Sequence, residues 1–267
     1  MQGALDALVN AWRTQQFAPG ARNVLAGDRA TINAPAEVAH HASWNSLIKS
    51  DQFGAPGGSA FHLGLLPMPF LGNLKRARVF LLSLNPGVGP HDYFAEHQVS
   101  DYRKALEANL QQTRDVRFPF LDPAHSWHGG SAYWAPRLRG ITEGVRLRRN
   151  LQYREAIDIC AQNIAVLELV PYHSATFKMP QRRIDALASV KLMREFVFRE
   201  LLPRHRQGDC KMLVLRSRNK WLQSDYDGAN LPQPTMPRRA YLSDRDAEKA
   251  AETICRFART GLRSGAR

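Results

Sequence analysis

The sequence predicts an α/β fold: a three-layer sandwich with a central four-stranded, mainly parallel sheet flanked by helices. Three observations lead there. Continuous apolar runs of strand length occupy residues 78–84, 164–170 and 211–215, as expected of strands covered on both faces. Segments with helical periodicity separate these runs. No internal repeat, low-complexity tract or clear linker divides the 267 residues, so they read as one domain, with residues 1–70 as an N-terminal helical and loop extension.

Taken in order, residues 5–12 and 36–48 have the pattern of short amphipathic helices. The stretch "SDQFGAPGGSAFHLGLLPMPFLGN" is too rich in Gly and Pro for regular structure and is expected to be a long loop. The first strand, residues 78–84, ends abruptly in "NPGVGP". Ser100 can cap a helix running to about residue 113, and a second loop-rich region follows, "RFPFLDPAHSWHGGSAYWAPRLRG". A helix over 152–162 leads into the second strand, residues 164–170, which ends in "PYHSATF". A long helix over 181–202 carries Ile184, Leu187, Val190, Phe196 and Val197 at helical spacing and is expected to stop before Pro203. The third strand, 211–215, runs into "RSRNKW". A weaker fourth strand is expected at 239–242, before Ser243 and Asp246, which resemble a capping pair for the last helix.

Charge narrows the partner. The chain carries a formal net charge of +13, and only 8 of its 37 basic residues are lysine. Arginine's planar fork suits bidentate phosphate contacts, so DNA is the expected partner, although an arginine-rich codon usage would give the same count. No apolar stretch reaches the length of a membrane span and the first residues lack a secretory signal, so a cytoplasmic monomer without membrane contact is expected. Cys160, Cys210 and Cys255 are odd in number and widely spaced, which suggests neither a disulfide framework nor a zinc site. His125 and His128 stand three apart in "HSWHGG" but lack a third ligand, and no metal or cofactor is expected.

Open α/β sheets bind ligands beyond the carboxyl ends of their strands. That rule gathers residues 85–93, 171–177 and 216–221. Pro86 restricts Asn85 to extended backbone and Gly87 lets the chain turn, so the Asn85 amide is expected at the sheet's edge with little freedom, suited to holding a water or a base edge. "NPGVGP" lacks the lysine and hydroxyl of a Walker loop and is no dinucleotide fingerprint, which argues against nucleotide hydrolysis and hydride transfer. Arg216, Arg218 and Lys220 beside Trp221 suit phosphate contacts with an aromatic wedge, or else an ordinary basic turn. A lone glutamate, Glu168, inside an apolar strand is costly unless it is paired with an arginine or functional.

"FLLSLNPG" resembles the first motif of the uracil-DNA glycosylase superfamily, in particular its mismatch-specific uracil and thymine branch, where a strand ends in Gly-Ile-Asn-Pro-Gly. Here Ser83 to Gly87 hold those positions, with serine for the first glycine, and the resemblance covers about residue 71 to the C-terminus. It implies a monofunctional DNA glycosylase that flips a pyrimidine out of the helix and hydrolyses its N-glycosidic bond, leaving an abasic site. Asn85 would then position the attacking water. Because an amide is a poor base, the barrier must fall by stabilising the cationic sugar and the departing base. The place where uracil-specific relatives read the pyrimidine edge is matched by Glu168, whose carboxylate can accept from the exocyclic amine of cytosine. Gly89 lies where those relatives place a bulky residue against C5 substituents. Together these suggest a 5-modified cytosine as target, such as the glucosylated hydroxymethylcytosine of some phage genomes, and a role in antiviral defence.

The second superfamily motif is not recognisable in "LPQPTMPRRAYLSD"; Arg238 and Arg239 stand in its place and could hold phosphates. His173 is a candidate leaving-group donor or a structural histidine. Tyr93, Tyr172 and Trp134 could stack on an extruded base or fill the core, and "AYWAPRL" resembles a Phe-Trp pair of the mismatch branch. The iron–sulfur cluster of some relatives needs four cysteines, and this chain has three. Alternatives are a uracil or mismatched-thymine repair glycosylase, a non-catalytic nucleic-acid-binding protein and a small-molecule hydrolase on the same scaffold.

Overall fold

A computed structural model describes residues 3–33, 38–54, 57–113, 116–223, 226, 230–233 and 241–257. In chain order the elements are α1 (Ala4–Arg13), β1 (Val38–Ala39), α2 (Trp44–Ile48), β2 (Phe61–His62), β3 (Phe70–Leu71), β4 (Val79–Ser83), α3 (Pro90–Gln98), α4 (Ser100–Gln111), α5 (Gly129–Arg149), α6 (Tyr153–Asn163), β5 (Ile164–Glu168), α7 (Gln181–Ala186), α8 (Ala188–Phe196), α9 (Leu202–Arg206), β6 (Lys211–Val214), α10 (Arg218–Trp221) and α11 (Asp244–Phe257).

The three apolar runs become β4, β5 and β6, and β4 lies between the other two with parallel pairing on both sides. Every residue of β4 and β5 is buried, which is why these strands read as unbroken hydrophobic runs rather than alternating ones. The fourth strand is β3, antiparallel to β5, so the sheet order is β3-β5-β4-β6 and the sheet is mixed rather than mainly parallel. Of the expected strand at 239–242, residues 239 and 240 lie outside the described residues, and Tyr241 and Leu242 are not in a strand. Only two residues of β3 pair, inside a Gly- and Pro-rich stretch, so neither length nor alternation marks it. Gly72 ends it with φ +90°, and a Cβ there would come within 2.4 Å of Ile164 O, so the chain can turn this close to β5 only at a glycine.

Several helices also differ from expectation. Residues 38–39 pair with β2 in a small second sheet, and α2 starts only at Trp44, capped by Ser43. The stretch beginning "RFPFLDPAHS" contains the first half of the longest helix among the described residues, α5, whose Gly129, Gly130 and Pro136 conceal it. Residues 90–98, for which no helix is expected, form α3, with Pro90 in its first turn and the Asp92 carboxylate accepting from Gly89 N–H at 2.7 Å. The long helix breaks at Leu187, whose ψ of 130° is extended. It then passes Pro203 through a π turn at Val197–Leu201, a wider winding that tolerates the missing N–H.

Residues 1–70 pack into the same core as the sheet. Leu8, Trp12, Val24, Ile32, Phe61 and Leu66 share one apolar cluster with the sheet, and the Leu5 N–H at the start of α1 donates to Glu200 Oε1 at 3.0 Å. On the far side α11 packs along α5 through small residues: a Cβ on Gly140 or Gly144 would approach Ala247 or Ala251 to 2.9 or 2.6 Å. Cys160 and Cys210 are buried free thiols and Cys255 is half-buried. No helix among the described residues is long and apolar enough to cross a membrane.

Candidate functional site

The carboxyl ends of the three parallel strands converge on a cavity of about 370 Å³, within the range of roughly 300–1,000 Å³ usual for small-molecule sites. β4 delivers Asn85, β5 delivers Glu168 and β6 delivers Arg216, and all three line it. Met68 and Leu71 contribute apolar wall, and Phe120, Tyr133 and Trp134 supply aromatic surface.

Asn85 is held as its neighbours dictate. Its Nδ2 donates to Pro86 O and to Ser174 Oγ, both at 2.9 Å, with Tyr172 O at 3.5 Å. Oδ1 accepts nothing among the described residues. The amide thus keeps a fixed orientation and one acceptor to spare, suited to a water molecule. The surrounding loop is stitched to the segment after β5 by Val170 N–H to Leu84 O at 2.8 Å and Ser174 N–H to Pro86 O at 3.1 Å.

Glu168 has no ion-pair partner among the described residues, and its Oε2 is buried without a hydrogen bond. Burial pushes its carboxyl up to about 8, with the Ser83 hydroxyl and the Arg216 charge pulling it partly back. At neutral pH it is therefore mostly the neutral acid, and the expected carboxylate is corrected to a carboxylic acid. A neutral acid can donate one hydrogen bond and accept another side by side. It can give its proton to cytosine N3 while accepting from the exocyclic amine. It can equally give it to uracil O4 while accepting from N3–H.

No family model, curated protein or solved structure matches this chain.

Three histidines line the cavity, in three different states. His173 is buried, with Nδ1 2.7 Å from Gly87 O and Nε2 3.1 Å from Leu66 O, so both ring nitrogens are turned to backbone carbonyls and away from any ligand. It fastens the loop after Asn85, which leaves the proposed leaving-group role without a free nitrogen. His128 caps α5: its Nδ1 accepts from Gly130 N–H at 2.9 Å, so its proton sits on Nε2, 3.5 Å from Asp92 Oδ1. Burial pushes His128 down to about 4, which keeps it neutral. His91 is half-exposed, with Nε2 3.3 Å from Asp92 Oδ2. Ligand atoms of His91, Asp92 and His128 lie within 4.8 Å of one another, close enough to hold a cation. The protonated Nε2 of His128 faces that point, however. Freeing it for a metal would move the proton to Nδ1, against the Gly130 N–H, so the trio does not fit a metal.

Other expected site residues lie elsewhere. Tyr93 packs with Leu47 and Leu65, its hydroxyl 3.1 Å from His62 Nδ1. The Tyr172 hydroxyl donates to Asp28 Oδ2 at 2.6 Å and accepts from Leu25 N–H at 3.2 Å, inside the core. Neither lines the cavity, whereas Trp134 does. Gly89 is also off the wall: a Cβ there would meet the His91 ring at 2.7 Å, whereas Gly87 lines the cavity with nothing within 4 Å of its missing Cβ. Trp221 is fully buried and donates to Ser83 O at 3.0 Å, so it braces the end of β4 and is no wedge. The Arg218 fork grips Leu231 O at 3.0 and 3.1 Å, and the Lys220 carbonyl accepts from Arg194 Nη2 at 2.7 Å. That leaves Arg216 as the member of this basic loop that both lines the cavity and is exposed. Arg238 and Arg239 lie outside the described residues.

Sequence reasoning gave no role to His91 and Asp92. Their signal was in plain view, an imidazole and a carboxylate directly after "NPGVGP".

Proposed function

We propose that this protein is a monofunctional DNA glycosylase that hydrolyses the N-glycosidic bond of a flipped pyrimidine, with a 5-modified cytosine as its preferred target. One observation carries the reading. The spare acceptor of Asn85 and the unpartnered buried oxygen of Glu168 belong to a single cavity at the sheet's carboxyl edge. A buried polar atom without a partner is costly, and a base edge would supply what it lacks. The resemblance of "FLLSLNPG" to the glycosylase superfamily's first motif supports the same assignment. In the same reading the fold is a three-layer sandwich, the arrangement suggested by strands buried on both faces.

In this reading Asn85 Oδ1 accepts a hydrogen bond from the water that attacks the anomeric carbon. The Glu168 acid pairs with the base edge, and the aromatic walls contributed by Phe120 and Trp134 accept the base face. Arg216 and the +13 net charge favour the phosphate backbone. Gly87, with open space beyond it, leaves room for a substituent. A target with a bulky 5-substituent, such as glucosylated hydroxymethylcytosine, would give the protein a role in defence against modified phage DNA. Uracil is the second reading, since the neutral acid also mirrors the uracil edge.

The deciding experiment incubates the purified protein with otherwise identical duplexes and single strands containing uracil, mismatched thymine, or methylated, hydroxymethylated or glucosylated cytosine, and scores abasic sites. Release from a modified cytosine is the expected result. Release from uracil alone would favour the second reading, and salt-sensitive binding without any abasic product would favour a non-catalytic DNA-binding protein.

A further inference from the structure

We propose that His91 is the proton donor to the departing base, an inference that rests on the glycosylase reading. Such a donor needs an imidazole that reaches the cavity, keeps one nitrogen for the ligand and is held in place by its surroundings. Of the three histidines lining the cavity, His173 has both nitrogens on carbonyl oxygens, and His128 spends one on Gly130 and turns the other to Asp92. His91 alone of these has a side chain that is 47% exposed and an Nδ1 with no partner among the described residues.

Its placement is built into the backbone. The ring lies between the N-termini of α3 and α5, at two positions that both happen to be glycine. A Cβ on Gly89 would come within 2.7 Å of its Cε1, and one on Gly129 within 2.5 Å of its Nε2. Neither backbone has a positive φ, so a side chain at either position would meet no conformational bar but would displace the imidazole from this place. Asp92 Oδ2 stands 3.3 Å from Nε2, and the His128 ring meets it edge-on at 5.0 Å. Asp92 is itself fixed by the Gly89 N–H.

In the proposed step the C1′–N1 bond breaks with its electron pair leaving on the base, and the His91 proton passes to O2 of that base. The water oxygen bonds to C1′, the surplus water proton goes to solvent, and His91 is reprotonated from solvent. Asp92 is a positioning residue that fixes the ring.

The test compares single-turnover base release by wild type, His91→Ala and Gly129→Ala. Each is assayed on the released pyrimidine and on its 6-aza counterpart, which keeps the 5-substituent and the pairing edge but whose base leaves more readily and needs less help from a proton. Affinity for uncleaved DNA and melting temperature are measured alongside. His91→Ala is expected to lose on the order of 100-fold on the parent substrate, to recover most of that loss on the aza analogue, and to bind DNA as wild type does. Gly129→Ala keeps the imidazole but crowds it, and is expected to show the same pattern more weakly, which keeps the test open should His91→Ala fail to fold. Equal losses on both substrates, or no loss at all, would overturn the role of His91 while leaving the glycosylase reading intact. A wild-type protein inactive on every DNA would overturn the glycosylase reading, and this inference with it.

Discussion

Ser83 and Glu168 are direct partners in the parallel pairing of β4 and β5, and both line the cavity. Being the last residues of their strands, they form a polar step at the edge of an otherwise apolar sheet. The serine hydroxyl gives the Glu168 carboxyl a hydrogen-bonding neighbour, which only partly offsets the upward push of burial.

The ionisation of Glu168 should be visible in catalysis. Only the neutral acid can donate to the base, so its contribution is lost as pH rises through about 8. Glu168→Gln offers a donor and an acceptor at every pH. The ratio of the Glu168→Gln rate to the wild-type rate is expected to rise about tenfold per pH unit above that point, as the fraction of neutral acid falls. A constant ratio between pH 6 and pH 9 in single-turnover assays would show that Glu168 does not read the base as an acid.

The same group affects stability with a definite sign. Its carboxyl is raised from the usual 4.5 to about 8 in the folded protein, so across that window the native state holds a proton that the unfolded chain has released. Stability contributed by this group therefore declines as pH rises from about 4.5 to about 8 and levels off above. Urea midpoints measured at pH 5 and pH 8 should differ less for Glu168→Gln than for wild type.

Asn85→Ala should separate binding from chemistry. The proposed phosphate contacts would be untouched, so DNA affinity and its salt dependence are expected to stay near wild type, while base release falls by about 100-fold or more because the proposed water loses its acceptor. Ser174 Oγ and Pro86 O lose a donor in this variant. A thermal melt should accompany the assay to show that the loop still folds.

Gly144→Leu tests the packing of α11 on α5. The missing Cβ of Gly144 would already lie 2.6 Å from the Ala251 Cβ, so a leucine must push the helices apart. Overpacking of this kind costs about 1–3 kcal/mol, and the urea midpoint should drop accordingly. An unchanged midpoint would mean that the two helices do not meet at these residues.

Much of the sheet and part of the cavity could be read from the sequence. Runs such as "VFLLS" and "IAVLE" are legible because a strand buried on both faces tolerates almost nothing polar, which also made Glu168 conspicuous. Asn85 and Arg216 followed from the position of ligands beyond parallel strands. What escaped was set by contacts distant in sequence. Whether Tyr172 faces a ligand or Asp28 depends on a residue 144 positions away, and Trp221 turns inward because Ser83 O offers an acceptor. The start of α5 was masked by its own glycines, of which Gly130 gives room to the Phe120 ring and Gly129 to His91.

The cavity draws part of its wall from the segment before Leu71. Met68 lines it, Leu66 O meets His173, and the Leu66 N–H is taken by the Glu96 carboxyl at 2.8 Å. Excision of residues 1–70 would therefore strip one side from the chamber and bare the core beneath α1, leaving a fragment that keeps "FLLSLNPG" but has no enclosure around it.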